Sequence, residues 1–332
     1  MSQMKYWQAI NRGLAEEMER DPNVVLMGED VGAPGGAFLA SKGLLERFGP
    51  NRVRDTPISE LAIAGLAVGA AMVGLRPVIE IMFNDFLTLA MDQVVNQAAK
   101  MSFMTGGSAH VPLVIRTMVA SGRSTGPQHG QSLEAWLGHV PGLKVVFPSS
   151  ARDARGLLKA AIRDDNPVVV FESLALWGSR GEVPDDDDLV PLGVASIRRQ
   201  GTDVTLVSLG SAMARAEQAA SLAEKEGVSV ELVDLRSVQP LDYHTLRESL
   251  AKTGRLVIAH DAVKFLGISA EIAAWAAEDA YHLLRGPVLR LAPPFSPVPF
   301  VPALEAQYFP SAQVILDGVI RAAGTPARSY HA

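Results

Sequence analysis

The stretch LAIAGLAVGAAMVGLRPVIEI, residues 61–81, decides the fold. From Leu61 to Leu75 every residue is apolar or glycine, a run too long for a strand and suited to a buried helix. Gly65, Gly69 and Gly74 fit a helix packed closely on a neighbour. Arg76-Pro77 closes the run, and Val78-Ile79-Glu80-Ile81 then reads as a short buried strand. A buried helix leading straight into a buried strand is the building unit of a parallel sheet.

The same alternation extends both ways. Upstream, Met4 to Arg20 has helical spacing, and Asn23 to Met27 reads as a strand ending at Gly28-Glu29-Asp30. Downstream come a helix over Leu87–Lys100, strands over Val111–Arg116 and Leu143–Phe147, a helix over Ala151–Arg163 and a strand over Val168–Phe171. The pattern breaks at Gly181–Asp188, whose acidic run reads as a solvated loop or interdomain edge, with an acidic metal site as the alternative. After Gly201 a second series begins, with strands over Val204–Leu209, Val228–Leu235 and Leu256–His260 and helices over Ala212–Gly227, Tyr243–Thr253 and Ile268–Leu284. Pro293 to Pro302 holds too many prolines for a helix or central strand and reads as an extended surface segment, either a structural belt or a partner contact. The fold class is therefore α/β, with two domains over 1–190 and 191–332 built on mainly parallel sheets.

Composition narrows the function. The chain of 332 residues is 20% charged and 48% hydrophobic, a globular profile. Zero cysteines exclude a disulfide framework, a thiolate metal site and a cysteine nucleophile, and are compatible with the cytoplasm. A net charge of −6 without any basic run argues against nucleic-acid binding. No signal or transit peptide is evident, and the 15 apolar residues from Leu61 fall short of the ~20 that span a membrane.

In open α/β sheets ligands bind beyond the carboxyl ends of strands, which singles out Glu29-Asp30, Asn84-Asp85 and the glycine-rich stretch Ser121–Gly130 containing His129. Glu60 stands before the small-residue helix, where it is either functional or simply a favourable first-turn charge, with Asp55 or Ser59 as a helix cap. There is no dinucleotide fingerprint, phosphate loop, H-E-x-x-H or nucleophile elbow. The residues by themselves reach a two-domain α/β protein with a site near Glu60 and His129.

Asp55-Thr56-Pro57-Ile58-Ser59-Glu60, preceded by Met27-Gly28-Glu29-Asp30-Val31-Gly32, closely resembles the β subunit of the thiamine-diphosphate-dependent first component of 2-oxo acid dehydrogenase complexes. Gly74–Glu80, Phe86 with Asp92–Lys100, Gln128-His129, Pro141–Val146, Ala161–Pro167, Gly201–Thr205 and Pro240-Leu241-Asp242 extend the resemblance over nearly the whole chain. It implies a pyrimidine-binding domain followed by a transketolase-type C-terminal domain, and a heterotetramer of two α and two β chains. The α chain would hold the cofactor's diphosphate and Mg²⁺ through a G-D-G…N element. No Gly-Asp-Gly occurs here, so half a cofactor site and no activity alone are expected. The activity implied is decarboxylation of a 2-oxo acid such as pyruvate, with acyl transfer to lipoyl on an acyltransferase core. Acetoin cleavage, the branched-chain activity or a split transketolase-like carboligase are the alternatives.

The resemblance also implies roles. Glu60 hydrogen-bonds the pyrimidine nitrogen and favours the imino tautomer that activates the thiazolium carbon, with its pKa raised toward neutrality. Ile58, Met82 and Phe86 contact the ring, Met82 without the hydrogen bond of the Gln common in relatives. His129 faces the reacting centre, and Glu29 joins an acidic route between sites. The turn after Ile162 resembles a potassium loop formed by carbonyls of Leu113, Ala161, Ile162 and Asn166 with Asp164, the alternative being a plain helix C-terminus.

Overall fold

The computed structural model describes residues 1–324; residues 325–332, which end the second expected domain, lie outside the described residues. In chain order the first elements are β1 (Ser2–Lys5), α1 (Tyr6–Arg20), β2 (Val24–Gly28), α2 (Leu44–Phe48), β3 (Val53–Asp55), α3 (Glu60–Met72), β4 (Arg76–Phe83), α4 (Leu87–Met91), α5 (Ala99–Met104), β5 (Val114–Val119), α6 (Glu134–Gly138), β6 (Lys144–Val146), α7 (Ala151–Arg163), β7 (Val168–Ser173) and β8 (Arg180–Val183). Then follow β9 (Ser196–Arg199), β10 (Val204–Ser208), α8 (Ala212–Lys225), β11 (Val230–Asp234), β12 (Ser237–Gln239), α9 (Tyr243–Thr253), β13 (Leu256–Ala259), α10 (Ile268–Glu278), β14 (Leu289–Leu291), α11 (Pro302–Tyr308) and α12 (Ala312–Ala323).

Two compact units result. Met1–Ala120, Trp136–Leu192 and Val238–Pro240 form the first, and Ser121–Ala135, Gly193–Ser237 and the residues from Leu241 onward form the second. The first is built on a seven-stranded sheet ordered β12-β6-β7-β5-β4-β2-β3. Its ladders from β3 through β2, β4, β5 and β7 to β6 are all parallel. Every residue of β2, β5 and β7 is buried, so both faces of the sheet are covered, as continuous apolar strands require. Ile10, Leu14 and Met18 of α1 share one core cluster with Leu157, Leu158 and Ile162 of α7. The second unit carries the order β14-β13-β10-β11-β9, parallel except for the β11–β9 pair. Its core joins β10, β11 and β13 to alanines of α8 and to Ile315, Leu316 and Val319 of α12.

Several expectations are corrected. The first helix starts at Tyr6, because Met4 and Lys5 pair antiparallel with Gly181 and Arg180 in a two-stranded sheet. The expected strand over Val111–Arg116 is shifted to Val114–Val119, after Pro112, which has no N–H for a ladder. The helix through the opening stretch stops at Met72, short of Gly74, whose φ of +100° lies outside helical space. The single helix over Leu87–Lys100 is α4, a π-helical segment over Asp92–Ala98, and α5. The helix over Ile268–Leu284 ends at Glu278, where Asp279 N–H closes on the Trp275 carbonyl. The acidic run is neither a purely solvated loop nor a metal site: Glu182 lies in β8, Asp187 meets Lys159 and Arg163 at 2.5 and 2.8 Å, and Asp188 meets Arg152 at 2.8 Å. Cations of α7 therefore already neutralise that charge. Among the described residues no group of three His, Asp or Glu side chains is placed to hold a metal ion.

Candidate active site

Parallel pairing brings the two diagnostic strings together. Gly28, the last residue of β2, lies opposite Asp55, the last of β3, so Glu29–Gly32 and Thr56–Glu60 leave the same edge of the sheet side by side. The Thr56 N–H donates to the Gly28 carbonyl at 3.0 Å. Asp55 does not cap the next helix: its Oδ1 accepts from the Gly32 N–H at 2.7 Å. A Cβ at Gly32 would lie 2.4 Å from Asp55 Oδ2, so any larger residue there would have to displace the carboxylate that holds the loop. Ser59 occupies the N-cap of α3 without a side-chain capping bond. The local chemistry thus fastens one loop to the other and leaves Glu60 as the first helical residue, only 8% exposed.

Glu29 stands close enough for its carboxyl pKa to be raised, first by burial, then by the charge of Glu60 and that of Asp30. The Glu29 carboxyl therefore holds a proton more readily than an isolated one. Ile58 is 82% exposed just before α3. Met82 lies on β4, half-buried, and Phe86 ends the 3₁₀ turn Asn84–Phe86, its ring edge-on to Phe83 with centroids 5.8 Å apart. Asn84 is fully buried and structural, its amide donating to the Met118 carbonyl at 3.1 Å. His129 lies half-buried in the segment Ser121–Ala135, which belongs to the second unit.

Behind Met82 is a cavity with room for about one water, lined in part by Glu80, Arg116, Thr117 and Glu172. Arg116 is 1% exposed; its Nη1 donates to Glu80 at 2.7 Å, and its Nε and Nη2 donate to Glu172 at 2.8 and 2.9 Å. Burial opposes the guanidinium charge, but Glu172 and Glu80 outweigh it and hold Arg116 firmly protonated. Burial also pushes the Glu172 carboxyl up despite that arginine, as expected where two acids share one cation. This triad is absent from the expected site residues. Its signal was a charged residue following apolar ones in each of the buried strands, Glu80 in β4, Arg116 in β5 and Glu172 in β7, since charges so placed must find one another.

The turn after α7 gathers the five residues expected of a potassium loop. Its oxygens already serve internal donors. Leu113 O accepts from Val168 N–H at 2.9 Å, Ala161 O from Asp164 N–H at 3.2 Å, and Ile162 O from Arg76 Nε at 2.8 Å. Asp164 Oδ1 accepts from the Asn166 N–H and amide at 2.9 and 3.1 Å, while Lys144 is bonded to Oδ2. Burial resists ionisation of Asp164, but Lys144 and Asn166 hold its carboxyl below the usual range. The donor set is hard oxygen, each carbonyl keeping a second lone pair, which suits an alkali cation. Arg76 and Lys144 already supply positive charge beside it.

Residues 2–177 match the model of the transketolase pyrimidine-binding domain, and residues 193–315 that of the transketolase C-terminal domain. The chain is 45% identical over 325 residues to the mitochondrial pyruvate dehydrogenase E1 component subunit beta-2 of Oryza sativa subsp. japonica, covering 97% of this chain and 85% of that protein. It is 43% identical over 331 residues to the acetoin:2,6-dichlorophenolindophenol oxidoreductase subunit beta of Bacillus subtilis, covering 96% and 97%. The 2-oxoisovalerate dehydrogenase subunit beta of Bacillus subtilis is 44% identical over 311 residues, covering 93% and 95%. Among solved structures, the inactive β4 tetramer of a split-gene transketolase superposes with a TM-score of 0.81 at 24% identity, over 97% of this chain and 98% of that one.

Proposed function

We propose, because the chain belongs to the β-subunit family of the thiamine-diphosphate-dependent first components of 2-oxo acid dehydrogenase complexes, that it contributes the pyrimidine half of such a cofactor site. The reaction is decarboxylation of a 2-oxo acid such as pyruvate, with the acyl group passed to lipoyl on an acyltransferase core. Acetoin cleavage is the second reading, favoured by 43% identity to an acetoin oxidoreductase subunit over 96% of this chain. The observation that carries the proposal is the buried Glu60 at the head of α3, with Glu29 beside it at the carboxyl edge of a parallel sheet.

Thiamine diphosphate, when bound, supplies a nucleophilic thiazolium carbon. Glu60 holds a proton at the pyrimidine nitrogen and thereby sets the tautomer of the ring. Phe86, Met82 and Ile58 would hold the ring by apolar contact, and Glu29 would belong to an acidic route connecting the two cofactor sites. His129 orients substrate and moves a proton in the later steps. The α chain supplies the diphosphate and Mg²⁺ contacts, for which this sequence has no Gly-Asp-Gly element. The turn over Ala161, Ile162, Asp164 and Asn166, with Leu113, takes a potassium ion.

Assembly with two α and two β chains is supported by the outer face of α3 and the residue after it. Leu61, Leu66, Met72 and Val73 are 49, 57, 45 and 81% exposed, an apolar stripe that water does not favour. No helix among the described residues is long and apolar enough to cross a membrane, and the cytoplasm is the proposed compartment. Calorimetry tests the split site. The purified chain should bind thiamine diphosphate weakly or not at all until its α partner is added, and tight binding to the isolated chain would contradict the proposal. Assays of the reconstituted complex with pyruvate, acetoin and branched 2-oxo acids then select the substrate, and ketol transfer without lipoamide would reveal a carboligase.

A further inference from the structure

The proline-rich tract, Pro293–Pro302, and the helix after it converge on the loop that carries His129. Within the second unit, Glu305 of α11 is 3% exposed, and its Oε2 accepts from the Ser124 N–H at 2.7 Å and from the Ser124 hydroxyl at 3.1 Å. Ser124 has φ +56°, a left-handed conformation that disfavours a residue with a Cβ unless its surroundings hold it. The next residue closes the loop: Thr125 Oγ1 donates to the His129 carbonyl at 3.1 Å. A Cβ on Gly130 would lie 2.8 Å from the Gly126 carbonyl and 3.2 Å from Val298 of the tract, so the loop is folded tightly on itself and against the prolines. The tract is anchored in turn, with Tyr308 Oη donating to the Ser296 carbonyl at 2.7 Å and Val298 packed with Tyr308 and Phe309.

We propose that Glu305 is a positioning residue for the reaction: its buried carboxylate fixes Ser124 in the left-handed state and, through Thr125, sets the backbone of His129. The inference rests on the reading of His129 as a group that faces substrate. A buried carboxylate accepting two hydrogen bonds from one residue is a stronger tether than a neutral acceptor. Both bonds fall on Oε2, and among the described residues no cation is bonded to this buried carboxyl, so Ser124 is its sole side-chain tether.

The test uses the complex reconstituted with the α partner and whichever of pyruvate and acetoin the wild type turns over. Glu305→Ala should lower kcat on the order of 10-fold to 10²-fold, as misplacement of a catalytic group does, with little change in KM. Hydrogen–deuterium exchange at the thiazolium carbon should stay near wild type, and backbone amide exchange should rise selectively over residues 121–131. Glu305→Gln, whose amide oxygen still accepts from Ser124, should recover most of the activity. Combining Glu305→Ala with His129→Ala should cost little more than His129→Ala alone, because both act through one group. Thr125→Val supplies a milder break, expected in the same direction, should Glu305→Ala disturb folding. Full activity in both Glu305→Ala and Thr125→Val beside an impaired His129→Ala would overturn the inference alone, as would losses that multiply in the double variant. An unimpaired His129→Ala would instead remove the reading beneath it.

Discussion

In the first unit Arg116 lies buried between Glu80 and Glu172, an ionic contact in which both the cation and the two acids are withdrawn from the surface. In the second, two buried acids reach cations that stay partly in solvent, Lys252 at 40% side-chain exposure against Glu231 and Arg215 at 26% against Asp261, while the buried Glu305 is held, among the described residues, by Ser124 alone. Its deepest polar contacts are neutral, His260 Nε2 with Ser269 Oγ and Thr205 with Thr253, each at 2.7 Å. The difference teaches that two sheets of one architecture satisfy buried polarity by different chemistry. They should therefore fail under different conditions.

The largest effect follows from breaking the ionic contact. Arg116→Met leaves two buried carboxylates facing each other without a cation, a loss of about 3–5 kcal/mol by the behaviour of broken buried pairs. Denaturant unfolding of the complex-free chain should show a first-unit transition moved to much lower denaturant. A small shift would mean that water reaches the triad and the contrast between the units is weaker than drawn.

Acid should act on the other unit. Burial, helped by the charge of Arg290, pushes His260 down from 6.5 to about 4. The unfolded chain therefore takes up the proton first, so this contribution to stability is complete above pH 6.5 and is lost as pH falls toward 4, on the order of 3 kcal/mol in all. Glu172 works in the opposite sense: its raised carboxyl penalises the folded state at neutral pH, and the penalty shrinks as pH falls. Amide hydrogen exchange at pH 7 and pH 5 should show protection lost over β10 and β13 and kept over β5 and β7. Replacing His260 with Asn should flatten the response, and equal loss in both sheets would erase the distinction.

The smallest effect belongs to the acidic run. Asp187 is 64% exposed, and its bonds to Arg163 and Lys159 hold its carboxyl well below the usual range. That stability exists above the unfolded value of 3.8 and is lost as pH falls below it. Because solvent and salt screen the contact, Asp187→Asn should cost only about 0.2–1 kcal/mol, fading at high ionic strength. A loss unchanged by 1 M salt would show the segment to be more enclosed than its exposure indicates.

Most of the architecture was legible because buried parallel strands are continuous apolar runs, and Val24–Met27, Val78–Ile81 and Val168–Phe171 stand out as such. What stayed hidden was non-local. Ser2–Lys5 is short and polar, and its partner is about 180 residues away, so no periodicity marks either strand. Asp55 reads locally as a helix cap, yet its bond goes to Gly32 across the sheet edge. Helix α12 is missing from the expected elements although its signal is local, with Ile315, Leu316 and Val319 at helical spacing behind a Ser311 cap. Glu60 and His129 stood out by type and place, whereas Glu305 has no motif. Only folding brings it to Ser124, 181 positions away.

The central claim is that Glu60 activates the cofactor, and hydrogen–deuterium exchange at the thiazolium carbon of the reconstituted complex tests it most directly. Glu60→Gln keeps the size and hydrogen-bonding reach of the side chain but removes the proton it shares. Exchange should slow on the order of 10²–10⁴-fold while thiamine diphosphate still binds. Exchange at the wild-type rate in Glu60→Gln would contradict the account and reduce Glu60 to a buried charge at the head of α3.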